Sequence, residues 1–167
     1  MAVDCERVGL DYFTNAPFRY TAAEVVDATP ERVFEVFADG EAWRRWVQAI
    51  TAVEWTSPPP YGAGTTRTVR MVGGLVAWEE FLAWEPGRRI AFRVNEVSRP
   101  VVRAFAEEYR VTDVGLGQSR IEWTMALTPP GPARRGVALA GPAVAFGVRD
   151  TLRRLRRLLA ATAPTPG

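Results

Sequence analysis

The amino-acid sequence predicts an α+β protein in which a curved antiparallel sheet of about six to seven strands wraps around a long C-terminal helix. The central part of the chain alternates apolar and polar residues in consecutive segments that short, glycine-bearing turns separate. A helix-start motif at Thr29-Pro30-Glu31 follows a first strand, and a leucine-rich stripe at helical spacing lies near the C-terminus. A chain of 167 residues favours one domain.

The first strand is predicted over Phe18–Asp27, and two short helices follow it. Thr29-Pro30-Glu31 supplies an N-cap hydroxyl, a proline at the first helical position and an acid in the first turn. Asp39-Gly40 ends this helix. The next helix carries Trp43 and Trp46, whose spacing of three residues places both indoles on one side.

The middle of the chain is predicted to form an antiparallel meander. Gly73-Gly74 suits a two-residue hairpin turn, which would fix how its two flanking strands pair. The predicted strands are Ile50–Thr56, Thr65–Val72, Leu75–Trp84, Ile90–Val97, Ala104–Thr112 and Arg120–Leu127.

The C-terminal helix is predicted over Val144–Ala161, with Gly141-Pro142 interrupting the chain before it. Its apolar stripe consists of Val148, Leu152, Leu155 and Leu159. Arginines occupy the rest of this helix and are interpreted as a solvated face. The expected organisation is an N-terminal arm over 1–17, a single domain over 18–161 and a flexible tail over 162–167.

Two residue types are absent, and their absence excludes most active-site chemistries. The chain has no histidine and no lysine, so its 21 cationic side chains are all arginines. A histidine base, a Ser-His-Asp triad, a histidine-ligated metal and a lysine Schiff base are therefore excluded. The single cysteine, Cys5, forms no internal disulfide and no CxxC motif. We expect no cofactor and no metal site.

Charge and hydropathy restrict the partners. A formal net charge of +2 argues against nucleic acid, which would require a clustered basic stripe. No signal peptide is visible and no apolar run is long enough to span a bilayer. The chain is therefore expected to be cytoplasmic, without stable membrane insertion. Both a monomer and a homodimer remain open.

Several segments together resemble a known superfamily. They are Ala28–Phe34, Ala38-Asp39 with Trp43 and Trp46, Gly62–Thr66, Trp84–Ile90, Glu108-Tyr109, Trp123 and the terminal leucine-arginine helix. Over about residues 18–160 the sequence resembles the SRPBCC superfamily of START-like helix-grip proteins, and within it the polyketide cyclase/dehydrase group. The resemblance implies a helix-grip fold with an internal cavity. Since members include cyclases, lipid carriers, hormone receptors and quinone-binding proteins, it does not choose a function. Some members use a pocket histidine, which this chain lacks.

Strand alternation predicts which side chains face the cavity. A two-residue turn at Gly73-Gly74 would pair Arg67 with Glu80 on the apolar inner face. This pair would be either a structural ion pair, solvated near the rim, or a polar anchor for a ligand. The same face would carry Val69, Met71, Trp78 and Leu82.

The last predicted hairpin supplies a second polar pair. Its alternation places Glu107 and Tyr109 inward and leaves Glu108 and Arg110 outward. There are competing interpretations. Glu107 could lie in water at the outer end of its strand, and Tyr109 could be an ordinary core aromatic. For Ile90–Val97, the preferred phase directs Ile90, Phe92 and Val94 inward.

These considerations define the candidate site. A carboxylate desolvated in an apolar cavity has a raised pKa and can transfer protons near neutral pH. The candidate catalytic residues are Glu80, Glu107 and Tyr109. The candidate ligand-binding residues are Arg67, Val69, Met71, Trp78, Leu82, Phe92, Phe105, Trp123, Met125 and Leu152.

Three functions are compatible with this site. The first is binding, with or without transport, of a hydrophobic small molecule such as a lipid, a polyketide or another aromatic compound. The second, implied by the resemblance, is a cyclase/dehydrase-type enzyme in which a carboxylate or tyrosine moves a proton and Arg67 holds an enolate or carbonyl oxygen. The third is a partner-binding regulatory module that uses the outer sheet face or the basic helix.

Overall fold

The structure, a computed structural model, describes residues 1–162, so the predicted flexible tail over 162–167 lies outside the described residues apart from Thr162. The strands are β1 (Val3–Asp4), β2 (Phe18–Val26), β3 (Ile50–Trp55), β4 (Thr66–Met71), β5 (Val76–Glu85), β6 (Arg89–Val97), β7 (Ala104–Gly115) and β8 (Gln118–Thr128). The helices are α1 (Tyr12–Asn15), α2 (Pro30–Ala38), α3 (Gly40–Trp46) and α4 (Arg134–Ala161).

Seven strands form one antiparallel sheet in the order β2-β8-β7-β6-β5-β4-β3. This path joins neighbours in sequence from β3 to β8, and β2 pairs with β8 as the last strand. One face of the sheet curls around α2, α3 and α4 and holds the large aromatic core. The predicted meander and the helix-grip arrangement are therefore confirmed.

The two short helices begin where the sequence predicts. The Thr29 hydroxyl accepts a hydrogen bond from the Arg32 amide at the start of α2, at 3.4 Å. The Asp39 carboxylate accepts from the Glu41 amide at 2.9 Å and so caps α3. Trp43 and Trp46 are both fully buried, with ring centroids 4.8 Å apart. These helices close one side of the interior.

The long helix α4 differs from its prediction in one respect. It runs for 28 residues and continues through Pro142, which was predicted to interrupt the chain. A proline removes one backbone hydrogen bond and crowds the carbonyl four residues earlier. Here Ala138 and Pro142 are both exposed, so water can satisfy that carbonyl. The predicted stripe is confirmed, because Val148, Leu152, Leu155 and Leu159 are all buried.

The N-terminal arm covers the outer face of the sheet and also adds a strand to it. Phe13 and Ala16 pack against a patch of alanines from the central strands: Ala83, Ala91, Ala106 and Ala126. The β6–β7 ladder ends at Arg93–Ala106, and beyond that point β1 pairs with β6 in place of β7. The Cys5 amide donates to the Asn95 carbonyl and the Glu6 amide to the Arg103 carbonyl. The arm therefore fills the gap where β7 leaves β6.

The turn between β4 and β5 changes the predicted register. The Met71 amide donates to the Leu75 carbonyl at 2.8 Å, so three residues form the turn instead of two. Gly73 and Gly74 both have positive φ, 73° and 75°, which glycine adopts without strain. Arg67 consequently pairs with Glu79, and the predicted pairing with Glu80 was wrong by one residue.

No helix within residues 1–162 is long and apolar enough to cross a membrane.

Candidate functional site

A cavity of about 360 Å³ lies between the inner face of the sheet and the helices α3 and α4. Its wall is mostly aromatic and aliphatic, with a small group of polar side chains at one place. The lining residues are Trp43, Val47, Ala49, Ile50, Arg67, Met71, Glu79, Phe92, Phe105, Glu107, Tyr109, Trp123, Met125, Val144, Gly147, Val148 and Thr151.

Arg67 is the centre of the polar group. Arg67 is 1% exposed, and its Nε donates a hydrogen bond to Glu79 Oε2 at 2.6 Å. The guanidinium carbon lies 4.2 Å from the ring centroid of Trp43 and 4.5 Å from that of Phe92, close enough for cation–π attraction. Nη1 is buried and has no hydrogen-bond partner among the described residues. One strong donor in the cavity wall is therefore unsatisfied.

Glu79 carries the negative charge that balances Arg67. It is 5% exposed and has no other polar partner among the described residues. Burial raises the pKa of Glu79 above its ordinary value, and the charge and hydrogen bond of Arg67 oppose that rise. The 2.6 Å contact to a guanidinium is the geometry of an ion pair. We therefore assign the ionised form to Glu79 at neutral pH.

Glu107 and Tyr109 form the second half of the polar group. The Tyr109 hydroxyl donates to Glu107 Oε2 at 2.8 Å. Burial, together with the negative charge of Glu79, raises the pKa of Glu107 from 4.5 to about 8. Burial and the adjacent Glu107 raise the pKa of Tyr109 well above its usual value. At pH 7 Glu107 is therefore mostly a neutral carboxylic acid.

This arrangement has a definite chemical capacity. It presents a fixed guanidinium charge, an ionised carboxylate that neutralises it, and a carboxylic acid whose pKa lies near physiological pH. Such a group can donate a hydrogen bond or a proton to a ligand oxygen, and its ionised form can accept a proton. The surrounding aromatic wall makes the environment less polar than water and so strengthens each of these interactions.

Glu80 does not belong to the cavity. Its carboxylate lies on the outer face, where it accepts from Asn95 Nδ2 at 2.8 Å and from Arg93 Nη2 at 2.9 Å. Hydrogen bonding to Asn95 and Arg93 lowers the pKa of Glu80, which leaves it a permanent anion at neutral pH. Its predicted inward position was wrong because the three-residue turn moved the first part of β5, up to the bulge after Phe81, to the opposite phase.

The same register error misplaced Trp78 and Leu82. Trp78 alternates with Glu79 and is not part of the cavity wall. Leu82 packs against the arm-covered alanine patch on the outer face. A β-bulge follows, because Phe81 pairs with Phe92 while Ala83 pairs with Ala91. Because of this extra residue, Trp84 faces inward as predicted, and it packs against the core.

Most of the other predicted lining residues do meet in the cavity. Glu107 and Tyr109 face it as predicted, with Glu108 outward in ion pairs to Arg89 and Arg110. The ligand-binding candidates that line the cavity are Arg67, Met71, Phe92, Phe105, Trp123 and Met125. Val69 and Leu152 are fully buried but are not part of its wall. Leu152 lies one turn past the wall residue Val148 and packs in the core instead.

Sequence reasoning missed three contributions to the site. Glu79 was not among the candidates, because the predicted two-residue turn placed its neighbour Glu80 inward, although the doublet Glu79-Glu80 guarantees one inward carboxylate in either register. Trp43 was identified only as one of two indoles on the same side of α3. Thr151 was not considered, although its spacing of three from Val148 signals a polar group on the apolar stripe of α4.

Among residues 1–162, no group of three or more histidine, cysteine, aspartate or glutamate side chains is arranged to hold a metal ion.

Comparison with known proteins identifies the wider relationships of this structure. A family model described as polyketide cyclase / dehydrase and lipid transport matches residues 17–160. The chain is 50% identical over 153 residues to an uncharacterised protein of Mycobacterium tuberculosis, covering 92% of this chain and 91% of that relative.

Two solved structures share the fold. The di-domain aromatase/cyclase BexL from the BE-7585A biosynthetic pathway aligns with a TM-score of 0.70 at 20% identity, covering 88% of this chain and 48% of that one. The Zhui aromatase/cyclase from Streptomyces sp. R1128 aligns with a TM-score of 0.63 at 19% identity, covering 88% and 99%. Identities this low establish the common fold alone.

Proposed function

The chain belongs to the polyketide cyclase/dehydrase and lipid transport family, and on that premise we propose that its cavity binds an apolar small molecule carrying a carbonyl or hydroxyl oxygen. A lipid and an aromatic polyketide are both ligands of this kind. The observation that carries the proposal is the buried, unpartnered Nη1 of Arg67 in a wall that is otherwise almost entirely apolar.

The apolar character of the ligand is inferred from the side chains that line the cavity. Phe92, Phe105 and Trp123 from the sheet and Val144 and Val148 from α4 contribute hydrocarbon surface to the cavity. Burial of apolar ligand surface there is worth about 25 cal/mol per Å². The volume of about 360 Å³ lies in the lower part of the usual range for ligand sites, roughly 300–1,000 Å³.

The presence of an oxygen atom in the ligand is inferred from the polar group around Arg67. A buried donor without a partner costs about 1–3 kcal/mol, which a ligand acceptor would recover once the guanidinium turns Nη1 toward the cavity that Arg67 lines. Glu107 offers a second point of attachment, because at neutral pH its protonated carboxyl can donate to the same or a neighbouring oxygen. An apolar molecule without such an oxygen leaves both donors unsatisfied.

A matched pair of ligands tests this proposal. 2-Acetylnaphthalene and 2-isopropenylnaphthalene have nearly the same shape, and only the former carries a carbonyl oxygen. Quenching of the intrinsic fluorescence from Trp43 and Trp123 measures both affinities. We expect the ketone to bind about tenfold or more tightly than the hydrocarbon, as a hydrogen bond to a charged donor provides.

The control removes the charges without opening a hole. In the double variant Arg67→Met/Glu79→Met, side chains of similar length replace both partners of the buried pair, a change that proteins often tolerate. This variant should lose most of the preference for the ketone, because Glu107 is then the only one of the two donors left to the ketone oxygen. Equal affinities in the unmodified protein, or no binding of either compound, would contradict the proposal.

A second candidate, a cyclase/dehydratase-type enzyme, is favoured by the pKa of Glu107. An ionised Glu107 can remove a proton from a carbon between two carbonyls, with Arg67 stabilising the enolate oxygen. Attack of that carbon on another carbonyl closes a ring, and the alkoxide that forms takes the proton from Glu107. The regenerated carboxylate can then remove the second hydrogen of the same carbon and pass that proton to the hydroxyl, which leaves as water. The name aromatase/cyclase on two structural neighbours agrees with this chemistry.

The enzyme candidate has its own assay. Exchange of the methylene hydrogens of 1-phenylbutane-1,3-dione in D₂O, followed by NMR, reports proton abstraction directly. The unmodified protein should accelerate exchange, and Glu107→Gln should abolish the acceleration while retaining ketone binding. An exchange rate equal to that in buffer would rule out this candidate and leave the binding proposal intact.

A further inference from the structure

The end of the molecule at which the cavity opens carries exposed apolar side chains. The cavity reaches this end at Met71, Phe105 and Val144. Three segments border it: the turn after β4, the loop between β6 and β7, and the first half of α4. We call their exposed side chains the mouth surface: Val72, Val101, Leu139 and Phe146 with Arg99, Arg134 and Arg135.

The segments of the mouth surface adjoin one another. Arg99 Nη2 donates to the Gly73 carbonyl at 2.5 Å, which links the β6–β7 loop to the turn after β4. The first half of α4 rises from the same end of the sheet, because β8 ends at Thr128 and only a short proline-rich link precedes the helix. Gly141 then lies beside the Tyr20 side chain of β2.

The first half of α4 is unusual for a surface helix. Residues 136–148 contain no charged side chain, and within them Leu139 is 85% exposed and Phe146 is 65% exposed. No described residue covers these two side chains. Exposed apolar side chains that cluster beside a cavity mark an interaction surface rather than chance exposure.

The charges around this surface are mostly positive, although Asp4 and Glu6 of the arm and Glu96 of β6 lie at the same end. Segments 68–78, 97–106 and 129–149 contain no aspartate or glutamate, and their arginines are Arg70, Arg99, Arg103, Arg134, Arg135 and Arg149. Of these, only Arg103 forms a salt bridge within residues 1–162, to Glu6. The remaining cations are available to an anionic partner.

The opposite end of the sheet provides a comparison within the same molecule. β7 spans 12 residues, or roughly 40 Å, and ends at the β7–β8 turn. Leu116 in that turn is also fully exposed, so both ends present an apolar side chain. At that end, however, three acidic residues lie near the β7–β8 turn, either in the chain or through hydrogen bonds and strand pairing: Asp27, Asp113 and Glu122. The mouth end combines exposed apolar groups with a surplus of arginines over acidic residues.

We propose that the mouth surface docks on an anionic phospholipid bilayer, so that the cavity opens directly onto the membrane. Leu139 and Phe146 would enter the boundary between headgroups and acyl chains while the arginines contact lipid phosphates. Such docking is peripheral and needs no spanning helix. Its purpose rests on the proposed function, because a cavity for an apolar ligand gains direct access to molecules dissolved in the bilayer.

Vesicle co-sedimentation tests the docking. The unmodified protein should bind vesicles of phosphatidylcholine with about 30% phosphatidylglycerol and should bind pure phosphatidylcholine vesicles much less. Leu139→Ser/Phe146→Ser should reduce the partition coefficient about tenfold or more, since two buried apolar groups are lost. Arg134→Gln/Arg135→Gln should reduce it about fivefold per arginine, and high salt should do the same.

Matched variants at the far end are the controls. Leu116→Ser and Arg120→Gln remove an exposed leucine and an exposed arginine near the β7–β8 turn and should leave vesicle binding unchanged. All the substituted side chains are exposed, so circular dichroism should show the same fold throughout. Equal loss in the control variants, or equal binding to both vesicle types, would overturn the proposal. Capture of an acidic protein without any vesicle binding would overturn it too.

Binding of 2-acetylnaphthalene without vesicles separates this proposal from the proposed function. The Leu139→Ser/Phe146→Ser variant should retain that affinity, because neither side chain is part of the cavity wall. A protein that binds the ketone but no vesicles disproves the docking alone. A protein that binds anionic vesicles but not the ketone disproves the proposed ligand and leaves the docking in place.

Discussion

Two pairs of adjacent glutamates, Glu79-Glu80 on β5 and Glu107-Glu108 on β7, place one carboxylate on each face of the sheet. On the outer face, Glu80 has Arg93 and Asn95 as partners, and Glu108 has two arginines. On the inner face two carboxylates share one cation, Arg67, and are surrounded by aromatic rings.

The consequence is a difference in chemistry between neighbours in the chain. The pKa of Glu80 is lowered by its hydrogen bonds to Asn95 and Arg93, whereas burial raises that of Glu107 to about 8. A sheet only one peptide thick therefore separates an anion on the outer face, Glu80, from a proton-transfer group on the inner face, Glu107. Burial on the inner face and hydrogen-bond partners on the outer face, rather than the residue type, decide the protonation state.

Removal of the inner cation should have the largest effect. Arg67→Met leaves Glu79 buried without a partner, and we expect a loss of about 3–5 kcal/mol in the free energy of unfolding. Arg93→Met, on the outer face, should cost about 1 kcal/mol or less because water reaches that pair. Urea denaturation of both variants at pH 7 measures the contrast. Equal losses would show that the two faces do not differ as described.

Glu107→Gln should stabilise the protein by an amount that depends on pH. Between pH 4.5 and about 8 the folded state keeps a proton on Glu107 that the unfolded state has released, so stability of the unmodified protein falls as pH rises. Because an amide stays neutral at every pH, the advantage of the variant should grow by up to about 1.4 kcal/mol per pH unit in this range. It should be constant above pH 8. An advantage independent of pH would mean that Glu107 titrates normally.

Tyr109→Phe removes the hydroxyl that donates to Glu107. We expect a loss of about 1 kcal/mol at high pH, where the hydrogen bond is to a carboxylate, and a further rise in the pKa of Glu107. The pH at which stability becomes constant should therefore move upward. Difference infrared spectroscopy of the protonated carboxyl band follows this titration without unfolding the protein. An unchanged midpoint would indicate that Tyr109 has no influence on the acid.

Glu80→Gln should have the smallest effect and the opposite sign. The folded pKa of Glu80 is lowered, so its ionised form stabilises the protein above the ordinary pKa and loses that contribution as pH falls. At pH 7 we expect a destabilisation of about 1 kcal/mol or less, since the carboxylate is partly exposed. The effect should vanish in acid. Thermal unfolding at pH 7 and pH 3 compares the two conditions.

The sequence predicts the β7–β8 hairpin better than the β4–β5 hairpin, for a physical reason. Alternation along Phe105, Glu107 and Tyr109 is in phase with Trp123 and Met125 opposite, so only one face can be inward. In β5 the apolar residues Trp78, Phe81, Leu82 and Trp84 occupy both phases, because a bulge divides the strand. The alternation there cannot decide the inner face.

The register of β4 and β5 could not be predicted because the length of the turn between them was not known. Gly73-Gly74 accommodates either a two-residue or a three-residue loop, and the local sequence does not distinguish them. Tertiary contacts select the longer loop: the Val72 amide donates to the Ala49 carbonyl in the segment before β3. Helix α4 shows a similar limit, since nothing local to Pro142 predicts that an exposed helix will continue past it.

The strand β1 and the residues after it place the start of the chain directly behind part of the cavity wall. Residues 3–6 occupy the gap between β6 and β7, and Cys5 belongs to the same cluster as the cavity residues Met71 and Phe105. Few main-chain bonds hold this segment, so it should detach more readily than any other part of the sheet. Detachment would open a second route to the interior. Ligand exchange rates would then depend on the arm, while the equilibrium affinity is set mainly by the polar group around Arg67.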